Sequence, residues 1–220
     1  MTTAAALEIT RWYLAGFFLL VAGFYTVRLV VPRLRSGIRY VTHGRAGTLH
    51  WWLYLTFRVF RVTILAAMIL RVPWPAFDSY LVPFSALTAA PLMIAGDILL
   101  ATGFGFVLYC HAFMAEAWRS GIPPGQAPRL ITDGPFRWAR NPIFLGVQVA
   151  QVGFFLAFPS LFTAVCFFVG LAVIQMQVRL EERHLTTTMG PAYRTYCHET
   201  TRWLRIRPAP AVATSSGPPA

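Results

Sequence analysis

The stretch "IFLGVQVAQVGFFLAFPSLFTAVCFFVGLAVIQMQV", Ile143 to Val178, holds no charged residue, and its only proline is Pro159. A helix rises about 1.5 Å per residue, so roughly 20 apolar residues cross the ~30 Å of hydrocarbon in a bilayer. The two halves, Ile143–Phe158 and Leu161–Val178, read as two spans turning back at Pro159-Ser160, a helical hairpin. Three more apolar runs precede it: Trp12–Val31, Trp51–Leu70 and roughly Ala89–Phe113. Tryptophans at 12, 51, 52, 74 and 118 stand near the span ends, as in an aromatic belt. The 220 residues are 56% hydrophobic and only 12% charged, against about 25% charged in a soluble domain. The expected fold is all-α: a polytopic membrane bundle of about five transmembrane helices with a C-terminal hairpin and an amphipathic tail, its partner the lipid bilayer. Thr2–Thr10 shows no signal-peptide pattern.

The net charge of +11 comes from arginine alone, with no lysine. Arg33, Arg35, Arg39 and Arg45 fall between the first two spans. Arg119, Arg129, Arg137 and Arg140 fall before the hairpin. Arg179, Arg183, Arg194, Arg202, Arg205 and Arg207 follow it. With five spans these 14 of 19 basic residues share one side. The positive-inside rule then puts the N-terminus outside and the C-terminus in the cytoplasm. Nucleic acid is not an expected partner, since the spans leave little soluble domain to grip a duplex.

Ionisable groups inside spans are costly and ask for a role. Arg58 and Arg61 lie mid-span in the second run, and Asp97 and His111 in the third. An Arg61–Asp97 ion pair is one reading and substrate handling is the other. Gln148 and Gln151 read either as interhelical glue or as the wall of a polar cavity. Cys110, Cys166 and Cys197 form no C-x-x-C pair and the five histidines no H-E-x-x-H, so no metal site is expected. No P-loop or G-x-S-x-G elbow occurs. Pro208–Ala220 is too rich in proline and small polar residues to pack, and is expected to be disordered.

Two polar stretches flank the hairpin. In "GPFRWARNPIFLG", Gly134 to Gly146, the prolines enforce a turn, and Pro142 suits the first turn of a helix. The free amides of that helix start, with Arg137 and Arg140, suit a small anionic group. An interfacial turn with snorkelling arginines is the plainer reading. In "QMQVRLEERHL", Gln175 to Leu185, Gln175, Arg179 and Glu182 share one helical face, and Gln177, Glu181 and His184 another. Paired carboxylates near the negative end of a helix call for a cation, either Arg179 and Arg183 or a ligand. "MGPAYRTYCHETTRWL" then reads as an amphipathic segment lying on the surface or folding back as a lid.

Together, "LITDGPFRWARNPIFLG", a hairpin and "EERHLTTTMGPAYRTY" resemble the membrane methyltransferases of the isoprenylcysteine carboxyl methyltransferase and phospholipid N-methyltransferase superfamily, in their bacterial branch. The pattern there is roughly G-P-[YF]-R-x-x-R-[HN]-P-x-[YF]-x-G, a hairpin, E-E-x-x-L, then G-x-x-Y-x-x-Y. It covers about residues 100–204. The resemblance implies S-adenosylmethionine as cofactor and a lipophilic or small acceptor bearing a carboxylate, amine or thiol, at the bacterial cytoplasmic membrane. It implies Arg140, Asn141 and Glu182 as catalytic residues. The implied cofactor-binding set is Gly134, Pro135, Phe136, Arg137, Arg140, Asn141, Pro142, Leu145, Arg179, Glu181, Glu182, Tyr193 and Tyr196. Within it, Arg137 or Arg140 suits the cofactor's carboxylate, Glu181 or Glu182 its ammonium or ribose, and the aromatics its adenine and sulfonium. Gly103 and Gly105 of "TGFGF" would match a family G-x-G. Many members have His where this chain has Asn141, which cannot act as a base near neutral pH. The organisation expected is N-terminal helices over 1–88, a methyltransferase core over 89–207 and a tail over 208–220. A sterol-reductase-like enzyme using NADPH and a non-catalytic membrane scaffold remain as alternatives.

Overall fold

The computed structural model describes residues 1–36, 45–114 and 130–204, with side chains described except at 30–36. The arginines at 39, 119, 129, 205 and 207, Trp118 and the tail expected at 208–220 lie outside the described residues. The helices are α1 (Thr3–Ser36), α2 (Leu49–Leu70), α3 (Ala90–Met114), α4 (Pro142–Ala157), α5 (Leu161–Met189) and α6 (Pro191–Glu199). Among the described residues there is no β-strand, only an isolated bridge between Pro83 and Ser160. Segments of α1, α2, α3 and α5 are long and apolar enough to cross a membrane, and this is a membrane protein of polytopic helical architecture. The fifth expected span, α4, has 16 residues, or about 24 Å at 1.5 Å each. It is the short inner helix of the bundle.

Sequence sets each boundary. Thr48 caps α2 by accepting from the Trp51 amide. Pro142 opens α4 at its first position. Ser160 caps α5 in a reciprocal box with Thr163, and the Thr163 hydroxyl also donates to the Phe158 carbonyl at 2.7 Å. That second bond ties the hairpin turn to the helix it starts. Gly190, at φ +55°, separates α5 from α6, a conformation disfavoured for any residue with a Cβ.

The closest approach in the bundle is between α3 and α4. Gly96 of α3 lies on the backbone of Ala157, and Gly103 on Ala150 and Gly146. Gly153 of α4 lies on the backbone of Leu100. Rising positions on one helix meet falling positions on the other, so the pair is antiparallel. Small residues let backbones meet this way where no hydrophobic drive separates protein from lipid. Of the two glycines that would match a family G-x-G, Gly103 packs on α4 and Gly105 faces open space. Around this pair Leu14 of α1, Met68 of α2, Leu100, Phe154 and Cys166 form the main core.

The end of the bundle away from the polar motifs is closed by charge. Arg71 is fully buried and donates from Nε to Asp78 at 2.6 Å, while its guanidinium lies 3.6 Å from the Phe158 ring centroid. Arg11 of α1 donates to the other oxygen of Asp78 at 3.0 Å and also pairs with Glu8. The loop over 75–87 is further sewn to the hairpin by Phe84 N to Pro159 O and Leu161 N to Val82 O.

The interior ion pair read between Arg61 and Asp97 is not formed. Asp97 accepts from the Thr10 hydroxyl at 2.8 Å, and its carbonyl accepts from Tyr13. Arg61 instead lies over the ring of Tyr25, 5.5 Å from the centroid. Periodicity placed both residues on helices but not the rotation of one helix against the other.

The α3–α4 contact yields a paired prediction. A Cβ at Gly153 meets α3 backbone, whereas one at Gly105 meets nothing. Gly153→Ala should destabilise the solubilised protein by about 1–3 kcal/mol or more. Gly105→Ala should be neutral or gain about 0.5–1 kcal/mol. Equal melting temperatures for the two would contradict the packing.

Candidate functional site

The two polar stretches meet in space. The turn over Gly134–Arg137 and the start of α4 come from one side of the hairpin, and the last turns of α5 with α6 from the other. Their junction is Glu182. Its Oε1 accepts from Arg140 Nε at 3.1 Å and from Asn141 Nδ2 at 3.0 Å. Its Oε2 accepts from Arg202 Nη2 at 2.7 Å and Nε at 3.0 Å. Two guanidiniums and an amide around one carboxylate favour its ionised form. The hydrogen bond to Glu182 likewise holds the Arg202 guanidinium above its ordinary pKa.

The same cluster straps the C-terminal segment down. Arg140 Nη1 donates to the carbonyls of Cys197 and Thr200, and the Arg140 amide donates to Thr201 O at 2.9 Å. The Tyr196 hydroxyl donates to the Phe136 carbonyl at 2.7 Å. Tyr193 and Tyr196 are buried, and burial above all pushes both phenols up, so they stay neutral. The segment folds back onto the site; the surface-lying alternative is not observed.

Beside the cluster runs a cavity of about 660 Å³, within the size range of small-molecule sites. On α5 its wall extends from Cys166 to Leu185, about 28 Å of helix at 1.5 Å per residue. Of the residues singled out in sequence, Phe136, Arg140, Asn141, Pro142, Glu181, Tyr193 and Tyr196 line it. Gly134, Pro135, Arg137 and Leu145 do not; they shape the turn and the helix start behind it. Arg179 and Glu182 lie on a separate shallow groove with Arg183 and Arg202.

Adjacent carboxylates thus have different roles. Glu182 is consumed by three protein donors. Glu181 lines the cavity and accepts one bond, from Gln177 Nε2 at 2.7 Å. His184 shares that wall, as the helical spacing of Gln177, Glu181 and His184 predicts. The expected offset of the carboxylates by Arg179 and Arg183 is replaced by Arg140 and Arg202, which reach Glu182 across the fold. The helix also continues to Met189, so the pair does not sit at its very end.

Among the described residues, Arg140 Nη2 carries no hydrogen bond, although Nε and Nη1 are both engaged. A guanidinium held at two corners with one edge left over is arranged to take an anion. The cavity mouth therefore offers an anchored cation, a carboxylate and aromatic rings. Gln151 also lines the cavity, which decides the earlier ambiguity about its stripe: Gln151 is cavity wall, and Gln148 is not. Sequence reasoning missed Arg202, whose only signal was its place in a basic tail, and the part of Thr200 and Thr201, whose carbonyls carry none.

Glu182→Gln keeps the shape and removes the charge that both arginines face. The expected result is release of residues 191–204, read as faster amide exchange and faster proteolysis there, with the spans unchanged. A strap equally protected in the variant would show that packing alone holds it.

No curated protein and no solved structure shows detectable similarity to this chain. Residues 91–192 match the family model for phospholipid methyltransferase. That stretch begins in α3, contains the whole hairpin and ends in α6, so it includes Arg140, Asn141, Glu181 and Glu182. With the bundle and the site in one frame, residues 91–192, a little under half of the chain, are similar to the phospholipid methyltransferase family, which supports a membrane methyltransferase in general.

Proposed function

We propose that the protein transfers a methyl group from S-adenosylmethionine to a lipophilic or small acceptor. The observation that carries this is the cavity mouth: Glu181, Arg140, Tyr193 and Phe136 face one space, while Glu182, Asn141 and Arg202 fix its frame from behind.

The residues fit the cofactor group by group. Arg140 Nη2 suits the carboxylate, and the amides at the start of α4 lie beside it. Glu181 suits the ammonium. Tyr193, Tyr196 and Phe136 suit adenine and the sulfonium, whose positive charge is attracted to ring faces. S-adenosylmethionine, when bound, supplies an electrophilic methyl on a positively charged sulfur. The chain's own contribution is orientation and exclusion of water, the means by which a methyl transfer between two held partners gains most of its rate. Transfer to the acceptor would leave the donor as a neutral thioether. A carboxylate acceptor then releases no proton; an amine or thiol acceptor releases one. Asn141 is not the base that takes it, because its amide has no basic nitrogen and is committed to Glu182.

Glu182, Arg140 and Asn141 act as a unit in this reading, with Arg140 the member that touches the cofactor and Glu182 a positioning residue. Residues 89–207 form the methyltransferase core, which the family match supports, and residues 1–88 supply two further helices. The site faces the cytoplasm, where S-adenosylmethionine is available, with the N-terminus outside; the arginine distribution supports that orientation.

Equilibrium binding to the purified full chain tests the assignment. S-adenosylmethionine should bind, and NADPH should not. Arg140→Ala should abolish donor binding in a folded protein. Glu181→Gln should weaken it about tenfold or more, the order expected for a charge-assisted hydrogen bond, without lowering the melting temperature. NADPH binding alone would favour a reductase, and no binding of either a scaffold.

A further inference from the structure

The family match begins in α3, yet the cavity has a second wall, built by α1 and α2 outside the matched residues. Arg61 is on that wall. It is twelve residues into α2 from Leu49, or about 18 Å along the helix, well inside a span. A charge at that depth is expensive and by default functional. Arg58, one turn away, is exposed like Arg61 but does not line the cavity. Arg61 lines it, with its guanidinium 5.5 Å from the Tyr25 ring centroid.

Among the described residues no carboxylate pairs with Arg61, and Asp97 of α3 is engaged by Thr10. Tyr25 gives the guanidinium a face to rest on but no negative charge. Beyond it the cavity is apolar, walled by Phe18, Phe154 and Cys166. One polar atom there has no partner among the described residues: Gln151 Oε1, buried on α4. Gly170 of α5 leaves the room that the Gln151 amide occupies. An occupant matching these walls has an anionic group for Arg61, a hydrogen-bond donor for Gln151 and an apolar chain.

We propose that Arg61, stacked on Tyr25, binds the anionic group of an amphiphilic acceptor, carboxylate or phosphate, and selects for it. This rests on the methyltransferase reading for the word acceptor, but the binding site does not depend on it. The donor half of the cavity lies in the matched core, and the acceptor half draws its charge from α2.

The test uses the full chain in uncharged detergent, with radiolabelled oleate and oleyl phosphate as separate probes and oleyl alcohol as the neutral competitor. Wild type should bind one or both anionic probes about tenfold or more tightly than the alcohol, as for a hydrogen bond to a charged group. The two probes distinguish carboxylate from phosphate. Arg61→Gln should bring the anionic and neutral ligands to within about twofold of each other. Arg61→Lys should keep part of the preference, since it keeps the charge but loses the fork and much of the stacking. Arg58→Gln, the same change of charge one turn away, should keep all of it.

The proposal is overturned if wild type shows no anionic preference, if Arg61→Gln retains it, or if Arg58→Gln loses as much as Arg61→Gln, which would mean a snorkelling cation only. Should Arg61→Gln fail to fold, Arg61→Lys and Tyr25→Leu carry the test, and an unchanged preference in both overturns it. Donor binding is measured alongside. Anion preference that depends on Arg61 in a protein without S-adenosylmethionine binding would sink the methyltransferase reading and leave this site standing.

Discussion

The arrangement depends on one carboxylate with three claimants. Glu182 joins the start of α4, the last turns of α5 and the segment after α6, because Arg140, Asn141 and Arg202 all point at it. None of these groups would be stable at a membrane-proximal, half-buried position alone. Removing one partner of such a pair leaves an uncompensated charge, at a typical cost of about 3–5 kcal/mol. The hairpin keeps its two feet together by apolar packing along its length, and Glu182 fixes the register of what they carry. Only with that register set does Glu181, one residue earlier and about 100° around the helix, face the cavity.

The charges divide into those satisfied within the fold and those left able to take a ligand. At the end of the bundle away from the site, Arg71, Arg11, Asp78 and Glu8 close on one another, and Phe158 covers what remains of Arg71. That group joins α1, α2 and the hairpin turn, and has the character of a staple. At the site end, Arg140 is tied at two corners and open at a third. Arg61, exposed on α2, has an aromatic face and, among the described residues, no acid. For the largely buried Arg140 side chain, incomplete pairing is poor design for stability alone, since such a cation gains most from full compensation. It is what a site for an anionic ligand requires.

The spans were legible because length and apolarity are one-dimensional properties. Pro142 and Ser160 were legible as helix starts for the same local reason. The pairing of Arg140 with Glu182 is 42 residues apart in sequence, and nothing local signals it; only the joint resemblance of two motifs pointed there. Which of two adjacent glutamates faces the cavity follows from the rotation of α5, which an apolar run with polar residues on several faces does not encode. An Arg61–Asp97 pair was one sequence reading because these were opposite charges available within the spans. Thr10 and Tyr25, both on α1, took those places, and α1 offered no ionisable hint at either position. Gly103 looked like a cofactor glycine and is a helix-contact glycine, since glycine serves close approach to a backbone and to a ligand equally well.

The division of the cavity wall has a consequence for how such a protein can change its substrate. In the proposed reading, a methyl donor of fixed structure needs fixed partners, and those would lie on the hairpin and α6, locked to one another through Glu182. The proposed partners of the second substrate would lie on helices that touch this lock little. Arg61 and Tyr25 meet each other across α1 and α2 and make no hydrogen bond to the Glu182 cluster. Substitution on α1 or α2 can therefore reshape the acceptor end without disturbing the donor end, as effects at separated sites without shared partners combine additively. In that reading, coupling between the two ends would pass through the cavity itself, when both ligands are present.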